Sequence, residues 1–362
     1  MRLAVPLLPR LVWLPGFLVS VGVVAPLVNA PSAISDDANA PHIGHIENGL
    51  LTSATIQGKP VAGMKLEDRM RYYHVSGVSI AFFDQGKVIW TRSYGVADVQ
   101  TRRPVTSETL FQAGSISKPI AALGALRLVE QGKLKLDANV NDELRSWKVP
   151  ENEFTVAQKV TLRRILSHSA GTTVHGYSGY NPGDPLPTTV QILEGARPAN
   201  SAAVRVDTVP GTVYRYSGGG MMILQLMMMD AAGKDFPGLM HDLVLGPLGM
   251  SHSTYEQPLP RERDLTTAHG YTANGEGVPG GGHVVPEMAA GGLWSTPTDL
   301  ALAAIELQNE YAGKSDKVLS HPMAHEMLTR QKGNWGLGFE LSKPEMTPRF
   351  DHFGVNAGFV SV

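Results

Sequence analysis

The sequence has 362 residues, 43% of them apolar and 18% charged, which suffices for a large core and excludes global disorder. Lysine plus arginine number 31 against 33 acids, a net charge of −2, so there is no electrostatic footprint for nucleic acid or an anionic membrane surface. Cysteine is absent, which rules out disulfides, a thiol nucleophile and thiolate metal sites.

Residues 1–30 read as an export signal. Arg2 and Arg10 give a positive start, Leu11 to Val28 is uncharged and mostly apolar, and Val28-Asn29-Ala30 resembles a cleavage site. The rival is an uncleaved anchor helix, which Pro15, Gly16, Gly22 and Pro26 disfavour. The expected mature chain is periplasmic or secreted, with no stable membrane span. Residues 31–65 form an N-terminal arm, polar and loose.

Leu66 to Tyr73 has a short helical pattern. Val75 to Ala97 then changes period: Val78, Ile80 and Phe82 alternate, Asp84-Gln85-Gly86-Lys87 supplies a turn, and Val88-Ile89-Trp90 returns. Ser115 to Gln131 is helical, with Ile120, Leu123, Leu126 and Leu128 on recurring three- and four-residue steps. A further helix starts at Thr161 and runs through Leu166, and residues 172–212 read as long loops. Met221 to Asp230 is a helix carrying five methionines, a pattern that usually fills a core. Thr296-Pro297-Thr298-Asp299 is a strong helix start. Phe339 to Leu341 and Phe359 to Val362 read as short strands.

Strands at both ends with helices between predict a mixed α and β fold. Its antiparallel sheet would be built from both chain ends, residues 66–110 and 286–362, and flanked by helices. An all-helical lobe, residues 111–285, would be inserted between them, with the active site between the two parts.

No Gly-x-Ser-x-Gly elbow, His-Glu-x-x-His motif or phosphate loop is present. His321 and His325 could hold zinc on one helix face, but no acidic third ligand is evident, and a surface helix is the plainer reading. Ser115-Ile116-Ser117-Lys118 is a Ser-x-x-Lys tetrad, a pair expected about once by chance in a chain with this many serines and lysines. Its setting matters more than its spacing. A strand-like segment, Thr109 to Ala113, gives way there to a helix, so serine and lysine share one face. The positive end of the helix would lower the lysine pKa and stabilise an oxyanion. A capping serine beside a solvated lysine is the competing reading. Tyr216-Ser217-Gly218 follows on a loop, and His352-Phe353-Gly354 lies in a strand-like segment near the end. The order of the three motifs breaks the tie.

In that order and context they resemble the serine β-lactamase-related hydrolases: class C β-lactamases, D-Ala-D-Ala carboxypeptidases, D-amino-acid peptidases and β-lactamase-like esterases. The resemblance runs from about Leu66 to Val362. It includes Gly77-Val78-Ser79-Ile80-Ala81, Phe111-Gln112-Ala113-Gly114-Ser115-Ile116-Ser117-Lys118-Pro119 and Leu166-Ser167-His168-Ser169-Ala170-Gly171. Further on are Pro247-Leu248-Gly249-Met250 and Ala290-Gly291-Gly292-Leu293-Trp294-Ser295-Thr296.

The resemblance implies a β-lactamase/DD-peptidase-like fold and a cofactor-free acyl-enzyme mechanism. Ser115 would be the nucleophile, Lys118 its activator and Tyr216 the proton shuttle. His352 stands where β-lactamases carry the lysine of Lys-Thr-Gly. Gly354 would let substrate approach its strand, and the Ser115 and Val355 N–H groups would form the oxyanion hole. Ser217 and Gly218 would line the substrate site, while His168 and Trp335 read as structural supports. Gly218 replaces the Asn of Tyr-x-Asn, and His352 is a poorer carboxylate clamp than lysine. Both departures favour esters or small peptides over β-lactams. The expected partner is a small-molecule ester, peptide or β-lactam-like substrate, and esterase-type hydrolysis leads. A D-amino-acid peptidase or DD-peptidase comes second, and a silent penicillin-binding-like protein or inactive fragment third. The resemblance also implies two more strands and a C-terminal helix after the His-x-Gly strand. Only eight residues follow Gly354, so the expectation is a truncated family member with an incomplete sheet.

Overall fold

The alternation of apolar and polar residues after position 77 breaks at a polar turn and resumes, and the chain folds there as a hairpin. The computed structural model describes residues 36–51, 63–346 and 348–362, so the export signal read in residues 1–30 lies outside them. β1 (Gly77–Asp84) pairs antiparallel with β2 (Lys87–Asp98). Gln85 and Gly86 have φ of 48° and 75°, the left-handed pair whose twist matches the strands. Phe82 stacks on Trp90 at 5.4 Å, and β3 (Arg103–Pro104) adds to the other edge of β2.

Ahead of the hairpin the described part of the N-terminal arm is ordered rather than loose. It contains α1 (Asp36–Asn48), and α2 (Leu66–Tyr72) follows. Two contacts dock α1: Ile43 is buried, and Glu47 accepts a hydrogen bond from the Tyr94 hydroxyl of β2 at 3.1 Å. Polarity alone had concealed them.

β4 (Phe111–Gln112) leads through a 3₁₀ turn, Gly114–Ile116, into α3 (Ser117–Glu130). Four short helices follow: α4 (Val140–Glu143), α5 (Glu153–Ala157), α6 (Leu162–Leu166) and α7 (Thr189–Glu194). The methionine segment is α8 (Gly218–Ala232), buried from Gly218 to Met228. A helix apolar all round belongs in a core, and Met221, Met222, Met227 and Met228 fill it. Then come α9 (Phe236–Met240), α10 (Gly246–Leu248), α11 (Met288–Gly291) and β5 (Trp294–Ser295), which pairs with β4. α12 (Pro297–Tyr311) starts as its sequence predicts, with Thr296 Oγ1 accepting from Asp299 N at 3.1 Å, and it packs on β1. α13 (His321–Met327) packs on α12.

Residues 111–285 and the segment after 286 do not have separate cores. Ala289, Ala290, Leu293, Ala303 and Leu307 belong to the same buried cluster as α3 and α8, because α11 packs against both. The last strands are β6 (Glu340–Leu341) paired with β7 (Phe350–Asp351), and β8 (Gly354–Asn356) paired with β9 (Phe359–Ser361). The mixed fold holds, but the strands of the two ends do not join in one sheet among the described residues. A cavity of about 1060 Å³ is lined by residues of β1 and α12 and by residues 359–362. No helix of the described residues is long and apolar enough to cross a membrane.

The core reaches the start of α3 through Tyr255, which is fully buried, packs edge-on against Phe236 and donates to Ser117 O at 2.7 Å. Tyr255→Phe removes that hydrogen bond. The expected loss is about 1–2 kcal/mol in urea unfolding, with the m-value unchanged.

Candidate active site

Ser115 occupies the 3₁₀ turn and Lys118 the second position of α3, so the two side chains leave the same side of a tightening helix. Lys118 Nζ lies 2.8 Å from Ser115 Oγ and donates to Ala290 O of α11 at 2.6 Å. The lysine is buried, and burial alone brings its pKa down from the ordinary 10.5 to about 7. The sequence had pointed to the helix end as the cause. The amine is therefore about half neutral at pH 7, and its lone pair can face the serine hydroxyl.

Ser117, between them, holds the turn: its Oγ donates to Gly114 O at 2.6 Å and accepts from Leu293 N at 2.9 Å. Tyr216 completes the group. Its ring centroid is 4.8 Å from Lys118 Nζ, and burial raises its pKa to about 12 although a hydrogen bond with Ser115 pulls the other way. The phenol is thus protonated at neutral pH.

Tyr216 is held by a clamp made of residues 168–175. His168 O accepts from Arg215 N at 2.7 Å, and His175 O and Val174 O accept from Gly218 N and Gly219 N. Ser217 caps α8: its Oγ accepts from Gly220 N at 3.0 Å and donates to Thr173 O at 2.8 Å. The clamp carries two non-glycine residues in the left-handed region, His168 (φ 52°) and Val174 (φ 62°), and a β-branched residue is strained there. These contacts correct the placement of two expected substrate contacts. Ser217 is buried and its hydroxyl is used up in capping, while a Cβ on Gly218 would meet the Tyr177 ring at 3.1 Å. Both belong to the wall behind Tyr216.

His168 is buried and kept neutral, its pKa pushed well below the usual value by burial and by Lys118. Its Nδ1 accepts from Ser217 N at 3.3 Å, and its ring lies 4.4 Å from that of Tyr216. Trp335 packs edge-on against His168 at 4.9 Å and stacks on Tyr214 at 5.5 Å. His168 and Trp335, read from the sequence as structural supports, both lie against Tyr216. Tyr214, and His175 at 5.0 Å from the Tyr216 ring, are neighbours that no motif had flagged.

His352 also reaches the site, its ring 6.1 Å from that of Tyr216. Nδ1 lies 2.7 Å from Phe353 O, so it carries the ring proton, and the buried Nε2 has an open lone pair without a partner among the described residues. Burial and the nearby Lys118 lower its pKa to about 4. This histidine is neutral at pH 7 and cannot act as a cationic clamp.

Gly114 (φ 51°) and Gly354 bring two backbones into contact. A Cβ on Gly114 would fall 2.6 Å from Val355 N, and one on Gly354 would fall 2.0 Å from Ala113 O. The open side of Gly354 therefore admits the nucleophile turn, where the sequence had suggested a substrate. In the β8–β9 register, Asn356↔Phe359 closes a two-residue loop, so Val355↔Val360 falls between ladder bonds. The Val355 N–H turns away from β9, beside Gly114.

His321 and His325 sit elsewhere, on α13. They bond the carbonyls of Glu310 and Tyr311 at the end of α12, and no three potential metal ligands cluster among the described residues.

Residues 65–362 match the Beta-lactamase family. The chain belongs to that family. It is 27% identical over 300 residues to penicillin-binding protein 4 of Amycolatopsis lactamdurans, covering 79% of this chain and 76% of that protein. Esterase EstB of Burkholderia gladioli is 31% identical over 174 residues, 46% of this chain and 43% of EstB. The octameric penicillin-binding protein homologue from Pyrococcus abyssi superposes with a TM-score of 0.62 at 26% identity, over 76% of this chain and 63% of that one. The chain thus spans less than two thirds of the latter two. Family membership makes it a serine hydrolase of the β-lactamase type, and the superposition supports the expected fold.

Holding a lysine in this site costs stability. Its folded pKa is near 7, so up to that pH the folded protein carries a buried ammonium, and the cost shrinks as pH rises from 7 toward 10.5. Lys118→Met is expected to abolish hydrolysis and to raise Tm by on the order of 5 °C at pH 6. The gain should be smaller at pH 9, a difference calorimetry at the two pH values will read.

Proposed function

We propose that this chain hydrolyses small, weakly charged carboxylic esters through an acyl-enzyme on Ser115. The observation that carries the reading is Lys118 Nζ at 2.8 Å from Ser115 Oγ, with burial bringing the amine near neutrality. Neutral Lys118 takes the hydroxyl proton as Oγ attacks the ester carbonyl. The oxyanion is received by the N–H groups of Ser115 and Val355. When the C–O bond breaks, Tyr216 gives its proton to the departing alkoxide and is reprotonated from the Lys118 ammonium. Water then retraces the same steps, losing its proton to this pair as it releases the acid.

Esters are favoured over β-lactams and peptides by two features. The neutral His352 offers a substrate carboxylate no charge, and its open Nε2 is an acceptor that suits a hydroxyl or N–H. Gly218 contributes no side chain and is closed off by Tyr177. The similarity to EstB agrees with this choice, while penicillin-binding relatives make slow acylation by a β-lactam the second reading.

p-Nitrophenyl butyrate is expected to turn over with kcat/KM at least about 100-fold above that of a chromogenic cephalosporin. Ser115→Ala should be silent on both, and a fluorophosphonate should label Ser115 alone. Efficient cephalosporin turnover would refute the substrate ranking. Because the base must be neutral, kcat/KM should rise with pH through an apparent pKa of about 7 and be lost below it. A profile rising only near pH 10 would remove Lys118 as the base.

A further inference from the structure

Asn356 has no part in the chemistry above, yet its side chain joins three segments of the site. Its Nδ2 donates to Gln112 Oε1 at 2.8 Å and to Gly291 O at 3.0 Å. Gln112 is buried, and its Nε2 donates to His283 O at 2.7 Å, which turns Oε1 toward Asn356. Gln112 ends β4, two residues before Gly114 and three before the serine. Gly291 follows Ala290, whose carbonyl holds Lys118 Nζ. Asn356 itself follows Val355, whose N–H turns toward the nucleophile turn.

One amide therefore links the strand entering the nucleophile turn, the helix that seats the lysine and the strand offering the second oxyanion donor. The ladder of β8 runs to β9, so its docking onto the turn depends on side chains: Asn356, and Ser361 Oγ, which donates to Ala113 O at 2.7 Å. An unpaired buried amide here would be costly, which keeps the Asn356–Gln112 pair closed.

We infer that Asn356 is a positioning residue for the reaction. It holds the Val355 N–H against Ser115 and, through Gly291, sets the Ala290 carbonyl under Lys118. The kinetic consequence rests on the ester-hydrolase reading; the positional one does not. Asn356→Asp keeps the size and removes the donor, and Asn356→Leu keeps the volume without polarity.

For p-nitrophenyl butyrate, kcat should fall about 10- to 100-fold in both, the loss expected when an oxyanion donor moves by around an ångström. KM should change less than about threefold, since ground-state binding is not what Asn356 supplies. Backbone hydrogen exchange, which needs no substrate, should quicken over residues 113–118 and 354–356 more than over the rest of the core. Wild-type kcat in a folded variant, or unchanged exchange in both segments, overturns the inference. If one variant fails to fold, the other carries the same measurements. A native protein without turnover, whose variants still show faster exchange, would overturn the hydrolase reading while supporting the positioning role.

Discussion

Two backbones touch in this protein because neither has a side chain at the point of contact. Gly114 and Gly354 are separated by most of the catalytic chain, yet a Cβ on either would clash with the other's segment. That contact fixes where the serine turn ends and where β8 begins. The Val355 N–H that faces away from β9, the orientation of Ser115 and the use of Asn356 as a tie follow from it. A larger residue at either position would have to push the segments apart by on the order of 1 Å to reach ordinary contact. The site is thus defined first by an absence of atoms and then by polar groups.

The electrostatics of the site follow from exclusion of water. Burial brings the lysine close to neutrality and holds the tyrosine protonated, and burial together with Lys118 keeps His168 and His352 uncharged. Of these four groups, the amine is the one that changes charge near pH 7. A proton can then move from serine to lysine to tyrosine without a second charge close by. The same exclusion limits what can bind, because a cluster of neutral rings around Tyr216 favours uncharged groups over carboxylates.

Much of this was legible in the sequence wherever local chemistry decides. The left-handed pair at Gln85-Gly86, the Thr296 cap and the three-residue step from Ser115 to Lys118 depend on near neighbours, and each is realised. Tertiary choices were less visible. The resemblance put Ser217 and Gly218 at the substrate, but the clamp at residues 168–175 turns both inward. The strands of the two ends had the pattern of one sheet, yet each closes on its own partner. Asn356 gave no signal at all, since nothing near it in sequence indicates that Gln112, 244 residues away, will be its partner.

The clamp around Tyr216 has a cost that bears on how the protein can change. Val174 holds a backbone conformation that a β-branched residue resists by about 1–3 kcal/mol. Glycine there would relieve the strain and stabilise the fold, at the expense of the stiffness that keeps the His175 and Val174 carbonyls on α8. Stability and aim are therefore opposed at this one residue. Variants selected only for resistance to heat would drift toward a looser tyrosine.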